Sequence, residues 1–498
     1  MKITLISVSG RLPSDGSRLV SALLKQSGHQ VTNIYLARIE PEYDKTELEI
    51  LDQLLCETEI VLMAVYSNYA ARAALLTNLI HEQYPGLKVI WGGPHCVSMP
   101  ELGLKYADGV CYSEGDQTVV DLINKIEAGK PYYDTPNMAF MVNGELVKNM
   151  VLPPFNDLDS LPHYDFGFDN QFILDGKLIQ LTPERVSTLL KQYPFYVPTL
   201  YFLSSRGCTQ LCSYCNNCRY VSMFGHNRIR FYGIDRVIEE LKSSLKQLNF
   251  IQFIAFADDD FFSRPKKQIE ELAQKYKREI GLPFGIAVSP RTYRKDKIEI
   301  LLDHGLKAIN IGVQSGSQRI LNDVFNRKIS LEKTKTIIHE VAAYKQSHGL
   351  NIVLDFIIDN PYETKTDIMN TFNYMLDIPP HVSLNLFYLS FLPGTPIYQR
   401  ALDDGYTEPF DEKHFRPFSR SSLQFQVNYE TLLIQLLRLW RFKPKKFKLP
   451  TIFFKILASR FMRTVAGILP KSLIQKISDA TRIKKAPWRI YKSKKSSS

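Results

Sequence analysis

The sequence predicts an α/β protein in three parts: an N-terminal doubly wound, Rossmann-like domain, an incomplete (β/α)6 barrel and a basic α-helical tail. Strand-like and helix-like stretches alternate over residues 1–130 and again between about 200 and 398. Uncharged apolar runs such as residues 60–66 are typical of strands that are buried on both faces of a parallel sheet. Positive charge is concentrated at the C-terminal end of the chain.

The composition is that of a globular protein with more than one domain. The chain has 498 residues, of which 45% are hydrophobic and 23% charged. No apolar run approaches the ~18 residues that a membrane span needs, and residues 1–8 are too short for a signal peptide. Seven cysteines, an odd and clustered number, indicate a reducing compartment rather than a disulfide framework. We therefore expect a cytoplasmic protein, with peripheral membrane contact through its tail.

The charge is unevenly distributed. Residues 438–498 contain 18 Lys and Arg and a single acid, Asp479, which gives this segment a net charge of +17. The remaining residues carry 44 basic and 50 acidic side chains, a net charge of −6, although the whole chain is at +11. The basic character of the protein is therefore a property of its C-terminal segment alone.

Residues 1–130 form the predicted N-terminal domain. We expect parallel strands at 3–8, 31–35, 60–66, 88–91 and 108–112, with helices between them. Open sheets of this kind bind ligands at the carboxyl ends of their strands, and small residues there permit close backbone approach. Those ends carry Ser67-Asn68-Tyr69, Gly92-Gly93-Pro94-His95 and Ser113-Glu114-Gly115.

The rest of the chain divides into three predicted parts. Residues 131–195 read as a connector rich in turn signals, residues 196–400 as the barrel and residues 401–498 as a helical region. In a barrel the chemistry lies at the carboxyl ends of the strands. The predicted barrel strands are 199–204, 251–257, 283–288, 308–313, 351–358 and 383–391.

Four cysteines follow the first predicted barrel strand within eleven residues: Cys208, Cys212, Cys215 and Cys218. Thiols crowded in this way indicate a metal site, a redox pair or a disulfide. The spacing Cys-x3-Cys-x2-Cys lets a short loop bind three irons of a cubane cluster, which leaves the fourth iron open to an exogenous ligand. Cys218 could instead close an iron–sulfur site or complete a zinc site.

With Arg206-Gly207 before the first cysteine and Tyr214 before the third, this loop resembles the signature of radical S-adenosylmethionine (SAM) enzymes. The resemblance implies a [4Fe–4S] cluster on Cys208, Cys212 and Cys215, with SAM bound to the open iron and Cys218 as a bystander. In that family one electron cleaves SAM to a 5′-deoxyadenosyl radical. An external one-electron reductant of flavodoxin or ferredoxin type is therefore implied.

The same resemblance implies which residues contact SAM at the strand ends. An Asp-Asp-x-Phe element follows the second strand, Ser-Pro-Arg follows the third, and Gly-x-Gln-Ser-Gly follows the fourth, where Gln replaces the usual Glu. Arg can bind the SAM carboxylate in a bidentate manner, and a surface salt bridge is the alternative role for it. The expected SAM contacts are Tyr214, Asp258, Asp259, Arg291, Gln314 and Ser315.

Since it precedes a radical SAM motif, the N-terminal domain resembles the cobalamin-binding domain of cobalamin-dependent radical SAM enzymes. No Asp-x-His-x-x-Gly element follows the first strand, so no axial cobalt ligand is expected there, and His95 is expected to be a structural hydrogen bonder. The alternative is a Rossmann-like scaffold that binds no cofactor. The expected cobalamin contacts are Ser67, Asn68, Gly92, Gly93, Pro94, His95, Glu114 and Gly115.

The function that these resemblances imply is methyl transfer to an unactivated carbon. Cobalamin-domain radical SAM proteins also include oxidative and ring-forming enzymes, which are the first alternative. The second alternative belongs to another class, a non-catalytic iron–sulfur or zinc-binding protein. The sequence does not separate these three.

The tail predicts a further contact. After a helical seam of leucines at 432–437 and a basic stretch at 441–448, one more helix is expected with apolar residues on one face. A basic amphipathic segment suits an anionic membrane surface, and hence a hydrophobic or lipid substrate. Nucleic acid is a less specific fit, and a solvated basic tail is the third option. The expected apolar face consists of Phe453, Ile456, Leu457, Phe461, Thr464 and Ile468.

Overall fold

The computed structural model describes residues 1–8, 12, 15–37, 42–191, 197–411, 423–442 and 450–481. The chain forms two compact units. Unit 1 comprises Met1–Leu190, Asn216–Ile251 and Leu392–Ser419, and unit 2 comprises Lys191–Cys215, Gln252–Phe391 and Arg420–Ser498. Both units are built on parallel strands alternating with helices, so the predicted α/β fold class is confirmed.

The first 190 residues supply most of unit 1. Their elements are, in chain order, β1 (Lys2–Val8), α1 (Asp15–Gln26), β2 (Gln30–Leu36), α2 (Lys45–Leu55), β3 (Ile60–Val65), α3 (Ala70–Gln83), β4 (Lys88–Gly92), α4 (Pro94–Ser98), α5 (Pro100–Gly103), β5 (Gly109–Cys111), α6 (Asp116–Glu127), β6 (Met138–Val142), β7 (Glu145–Lys148), β8 (Gln171–Leu174), β9 (Leu178–Gln180) and α7 (Pro183–Leu190).

These nine strands form one sheet in the order β7-β6-β5-β4-β3-β1-β2-β8-β9. The strands from β5 to β8 in this order are parallel, whereas the pairs β5–β6, β6–β7 and β8–β9 are antiparallel. Residues 131–195 were predicted as a connector, yet they contribute four strands to this sheet. Those strands have three to five residues and partly exposed side chains, so their sequence shows no sustained period.

The elements of the remaining chain alternate in the same way. They are β10 (Thr199–Phe202), β11 (Ser205–Arg206), α8 (Asn217–Phe224), β12 (Arg230–Phe231), α9 (Ile234–Gln247), β13 (Phe253–Phe256), α10 (Lys266–Glu279), β14 (Phe284–Val288), α11 (Lys295–Asp303), β15 (Leu306–Gln314), α12 (Leu331–His348), β16 (Asn351–Ile358), α13 (Lys365–Asp377), β17 (Ser383–Tyr388), α14 (Pro396–Asp403), α15 (Tyr429–Phe442), α16 (Thr451–Leu457), α17 (Arg460–Ala466) and α18 (Lys471–Ala480). Of these, α8, β12, α9 and α14 belong to unit 1.

Unit 2 contains a six-stranded parallel sheet in the order β10-β13-β14-β15-β16-β17. Because every pair is parallel, all six strands end at the same edge. The strands lie within a few residues of the six predicted ones. Their carboxyl ends lead into the cysteine loop and into the segments that begin at residues 257, 289, 315, 359 and 389.

The C-terminal helices of unit 2 correct one prediction. The expected single amphipathic helix is divided into α16 and α17, because Ser459 caps the N-terminus of α17 by accepting from the backbone N–H of Met462. Pro470 then precedes α18. Arg441, counted in the basic tail, is buried in α15 and donates to the carbonyls of Met375, Ile378, Pro379 and Val382. The predicted basic stretch from residue 443 to residue 448 lies outside the described residues.

Gly316 allows close packing where the chain leaves β15. A Cβ atom on this residue would lie 2.6 Å from Thr371 Cα and 2.7 Å from Tyr374 Cβ, both on α13. Neither atom can move without shifting the helix. We therefore expect Gly316→Ala to destabilise the protein by about 3 kcal/mol, measured as a lower midpoint of urea unfolding. Gly86→Ala, where a Cβ meets nothing within 4 Å, is the control, and equal effects of the two substitutions would contradict this account.

Candidate functional site

The cysteine loop begins directly after β11 and is buried. Gly207 has a φ of +98°, a left-handed conformation that favours glycine, and it turns the chain into Cys208. Cys208 and Cys212 are 9% and 5% exposed, and Cys215 is partly exposed. The Cys208 sulfur accepts from the backbone N–H of Gln210 at 3.4 Å. The three predicted ligands therefore share one short loop at the carboxyl edge of the unit 2 sheet.

This loop is held by residues 324–327, which we call the clamp segment. The backbone N–H of Ser213 donates to Phe325 O at 2.9 Å, and its hydroxyl donates to Val324 O at 2.6 Å. The side chain of Asn326 donates to a loop carbonyl at 2.9 Å. These bonds come from both the backbone and the side chains, so they fix the loop without help from a regular strand or helix.

Arg327, at the end of the clamp segment, brings a buried positive charge to the cysteines. Its Nη1 lies 3.3 Å from Cys212 Sγ, and its Nη2 donates to Gly312 O at 2.6 Å. Tyr214 packs edge-on against Phe325, with ring centroids 5.0 Å apart. The sequence analysis missed Arg327, because a single arginine 115 residues from Cys212 carries no local signal.

The buried thiols fit an iron cluster rather than free cysteines. Burial raises the pKa of Cys208 to about 12, so its thiolate form needs positive charge beside it. The iron of a cluster would supply that charge, and the Arg327 guanidinium beside Cys212 adds to it. In the parts of the chain that the structure describes, no three Cys, His, Asp or Glu side chains converge on a single metal position. A cubane does not require this, because each cysteine binds a different iron.

The predicted aspartates after β13 have different surroundings. Asp258 is buried and accepts from the Ser204 hydroxyl at 3.0 Å and from the Ser205 hydroxyl; burial raises its pKa to about 6. Asp259 is exposed, whereas Asp260 is buried and accepts from Ser289 N at 3.1 Å. Of the two predicted SAM contacts, Asp258 therefore supports the exit of β10, whereas Asp259 is exposed and lies near enough to Cys208 to help raise the pKa of that thiol.

The other predicted SAM contacts lie at the ends of β14 and β15. The Arg291 side chain is exposed, in contrast to that of Arg327. Gln314 has a φ of +74°, a strained conformation that is common at functional sites. Ser315 is fully buried and its hydroxyl lies 3.3 Å from that of Thr371, so it braces α13. The roles of these residues toward SAM stay predictions.

A row of polar side chains crosses β15, β16 and β17 on one face of the sheet. Asn385 donates to Asp355 Oδ1 at 3.1 Å, and Asn310 also hydrogen-bonds this carboxylate. On β15 the residues on the opposite face, such as Ile309 and Ile311, are at most 1% exposed. Within the described part of the chain, no partner contacts the buried Oδ1 of Asn310. This polar row, Asn310–Asp355–Asn385, offers hydrogen bonds to a bound molecule.

In unit 1 the predicted cobalamin residues lie at the carboxyl ends of β3, β4 and β5. Gly93 has a φ of +93°, and a Cβ there would lie 3.0 Å from Val65 O, so only glycine permits this approach. His95 is fully buried and its Nδ1 lies 3.2 Å from Ser67 Oγ. Burial lowers the pKa of His95 to about 4, so the ring is neutral at physiological pH. His95 is therefore held by Ser67, and its role toward cobalamin stays a prediction.

Glu114 is engaged by another residue of unit 1. Arg230 Nη1 lies 2.9 Å from Glu114 Oε2 and 2.6 Å from Phe155 O, and the backbone N–H of Phe155 donates to the same carboxylate at 3.0 Å. The carboxylate therefore ties β5 to residue 155. Beside it, the buried hydroxyl of Ser113 has no partner among the described residues. A free hydroxyl next to glycine-lined strand ends fits a polar ligand such as cobalamin.

Comparison with known families agrees with this geometry. Residues 202–375 match the Radical SAM superfamily, and residues 1–123 match the B12 binding domain. The chain therefore contains a radical SAM domain preceded by a B12 binding domain, which confirms the resemblance seen in the sequence. The two domains imply a [4Fe–4S] cluster, SAM and cobalamin as cofactors.

Individual relatives are distant. "Uncharacterized methyltransferase PH0819" from Pyrococcus horikoshii is 26% identical over 329 residues, 63% of each chain. The cobalamin-dependent radical SAM methyltransferase TokK from Streptomyces tokunonensis is 21% identical over 394 residues, 76% of this chain and 54% of TokK. The chain thus spans 63% and 54% of the lengths of these relatives. The radical SAM methyltransferase TsrM from Kitasatospora setae has the same fold, with a TM-score of 0.64, 14% identity and coverage of 81% of this chain and 76% of TsrM.

We predict that Arg327→Met makes the cluster harder to reduce. The substitution removes a charged donor beside Cys212, and hydrogen bonds to cluster sulfurs set the reduction potential. A charged hydrogen bond contributes about 1.5–3 kcal/mol, so the midpoint of this one-electron couple should fall by about 65–130 mV. An anaerobic redox titration followed by electron paramagnetic resonance measures this midpoint.

Arg291→Met is the matched control, because the exposed Arg291 guanidinium should leave the potential without SAM unchanged. If Arg291 binds the SAM carboxylate as predicted, this substitution instead weakens the spectral change that SAM produces. An unchanged midpoint in Arg327→Met would show that the contact with Cys212 is not electrostatically important.

Asp355 should make stability depend on pH. Burial raises its pKa from 3.8 to about 6, although the amides of Asn385 and Asn310 offset part of the effect. An acid whose pKa is higher in the folded state contributes stability below pH 4 that is lost as the pH rises through 6. Asp355→Asn cannot ionise, so relative to wild type it should gain up to about 3 kcal/mol between pH 4 and pH 7 in urea unfolding. The exposed Asp303→Asn is the control, and parallel pH profiles for wild type and Asp355→Asn would refute the assignment.

Proposed function

We propose that the protein is a radical SAM methyltransferase that uses cobalamin to methylate an unactivated carbon. The observation that carries this proposal is the buried three-cysteine loop at the carboxyl edge of the unit 2 sheet, in a chain that also has a B12 binding domain. When bound, the cluster and SAM supply one-electron cleavage of the sulfonium, and cobalamin supplies methyl transfer. The names of PH0819 and TokK, both methyltransferases, support the choice of methyl transfer.

The protein itself holds the cofactors and orients them. Cys208, Cys212 and Cys215 would hold three irons of the cluster and leave the fourth open to the amino and carboxylate groups of SAM. Arg327 would balance the charge of the thiolates, because its guanidinium lies beside Cys212. The electron comes from an external donor of flavodoxin or ferredoxin type.

The polar row Asn310–Asp355–Asn385 is the proposed contact for a polar end of the substrate. Asp355 accepts hydrogen bonds, and the free Oδ1 of Asn310 accepts another, so a hydroxyl or an amino group fits this position. Because the basic tail favours an anionic membrane surface, we propose that the rest of the substrate is hydrophobic, as in a lipid. Such a substrate would carry one polar group on a long apolar body.

Product analysis separates methyl transfer from its alternatives. Reconstituted enzyme is incubated with reductant, a lipid extract and SAM labelled in its methyl group. Methyl transfer predicts a labelled lipid, with one S-adenosylhomocysteine and one 5′-deoxyadenosine per product. Deoxyadenosine and unlabelled product would instead indicate an oxidative or ring-forming enzyme, and uncleaved SAM would indicate a non-catalytic metal protein.

Single cysteine substitutions test the three-ligand cluster directly. We expect Cys208→Ala, Cys212→Ala and Cys215→Ala each to lose most of the iron that wild type takes up on anaerobic reconstitution. Cys218→Ala should keep wild-type iron content and the wild-type spectral response to SAM, because Cys218 is not a ligand in this account. Loss of iron in Cys218→Ala, with no response of the wild-type spectrum to SAM, would favour a closed cluster or a zinc site.

A further inference from the structure

The three C-terminal helices of unit 2, with the turn between α17 and α18, expose many large apolar side chains. Ile468 is 83% exposed and Phe461 74%, whereas most apolar residues of this unit are buried in its core. Exposed apolar side chains concentrated in one segment indicate an interaction site in a folded protein. We call this set the apolar face: Ile452, Phe453, Ile456, Phe461, Val465, Ile468, Leu469 and Leu473.

The apolar face is not needed to hold the helices in place. A second set of side chains does this: Phe454, Ala466 and Ile474 are at most 5% exposed, one on each of α16, α17 and α18. Phe454 packs against Trp440 of α15, with ring centroids 5.3 Å apart. The hydroxyl of Tyr429 donates to Leu457 O at 3.1 Å. Since the inner side docks each helix, the outward residues have another role.

The charges near the apolar face indicate which kind of partner it binds. Lys455, Arg460, Lys471 and Lys476 are exposed on the same three helices, where Asp479 is the single described acid. The flanking segments 443–449 and 482–498 lie outside the described residues, but their sequences add eleven further Lys and Arg and no acid. A surface that is both apolar and strongly cationic matches the interface of a bilayer that contains anionic lipids.

A second copy of the chain or a nucleic acid would fit either the apolar side chains or the positive charge of this surface, but not both. A second copy of the chain would bring two strongly positive segments together, and their repulsion opposes association. Nucleic acid would satisfy the charge but would leave Phe461 and Ile468 in water. The helices have seven to ten residues, and none of the described helices is both long and apolar enough to cross a membrane. The surface therefore suits a bilayer interface and not a span.

We propose that α16, α17 and α18 form a membrane-docking surface whose apolar face enters the outer part of an anionic bilayer, to a depth of about 5–10 Å. The surrounding lysines and arginines contact lipid headgroups. Since the helices lie in the unit that holds the cysteine loop, docking fixes that unit to the membrane. This inference concerns binding and holds whether or not the reaction is methyl transfer.

Vesicle flotation tests the surface. Full-length protein, without SAM or reductant, is mixed with vesicles of equal phosphatidylglycerol and phosphatidylcholine, or of phosphatidylcholine alone. We expect wild type to float with the anionic vesicles and to bind the neutral ones at least tenfold more weakly. The double variant Phe461→Ser/Ile468→Ser should lower binding to anionic vesicles at least tenfold, although its charge is unchanged.

Met150→Ser is the matched control, because Met150 is 68% exposed but lies in unit 1. It should float as wild type does. Equal flotation of the double variant and wild type would overturn the proposal, as would a wild type that stays unbound. Sedimentation velocity supplies the remaining outcome: a wild-type dimer that the double variant loses, without flotation, would assign the apolar face to a second copy. Because binding is read without catalysis, neither result depends on the methyl-transfer assay.

Discussion

The docking of the cysteine loop onto the clamp segment is the interaction on which the candidate site depends. The cysteine loop has no regular pattern of backbone hydrogen bonds within itself, so its backbone and side-chain polar groups need partners in other segments. The clamp segment offers them because it follows a short π-helix, Ile320–Val324, whose last carbonyls have no acceptor role within the helix. Ser213 satisfies two of these carbonyls with its backbone and its hydroxyl. One contact thus completes the helix end and fixes the cysteines.

Buried cations carry out a similar task at other strand exits. Arg264 is buried and donates to Ser204 O at 2.7 Å, just where β10 ends. Lys297 donates to the carbonyls of Phe262 and Arg264 at 2.6 and 2.8 Å. Arg327 donates to Gly312 O and also faces a thiol. Backbone carbonyls in the irregular segments that follow the strands cost free energy when they are buried without a hydrogen bond. A guanidinium group can donate hydrogen bonds to several such carbonyls at once. Arg327 thus combines a structural role with an electrostatic one.

Local patterns determine how much of this could be predicted from the sequence. The six strands of unit 2 were predicted within a few residues because each is an apolar run between polar segments, and the cysteine loop is a motif contained in eight residues. The partner of Cys212 lies 115 residues away, and that of Glu114 lies 116 residues away, so no window of sequence contains either pair. Strands β6 to β9 were missed because strands of three to five residues are too short to show a hydrophobic period.

The tail shows why net charge alone is a poor guide to its role. Arg441 is part of the positive count, yet it is buried and saturates four carbonyls at the end of α13 and the start of β17, so it stabilises the fold and attracts no lipid. What distinguishes the tail is that α16 to α18 are apolar on two sides. The inner side is already packed against α15, and the outer side is therefore presented by helices that are folded before any contact. Binding then orders few side chains, which lowers its entropic cost. A preformed apolar face beside exposed lysines would bind and release a charged interface without refolding, as the proposed membrane docking requires.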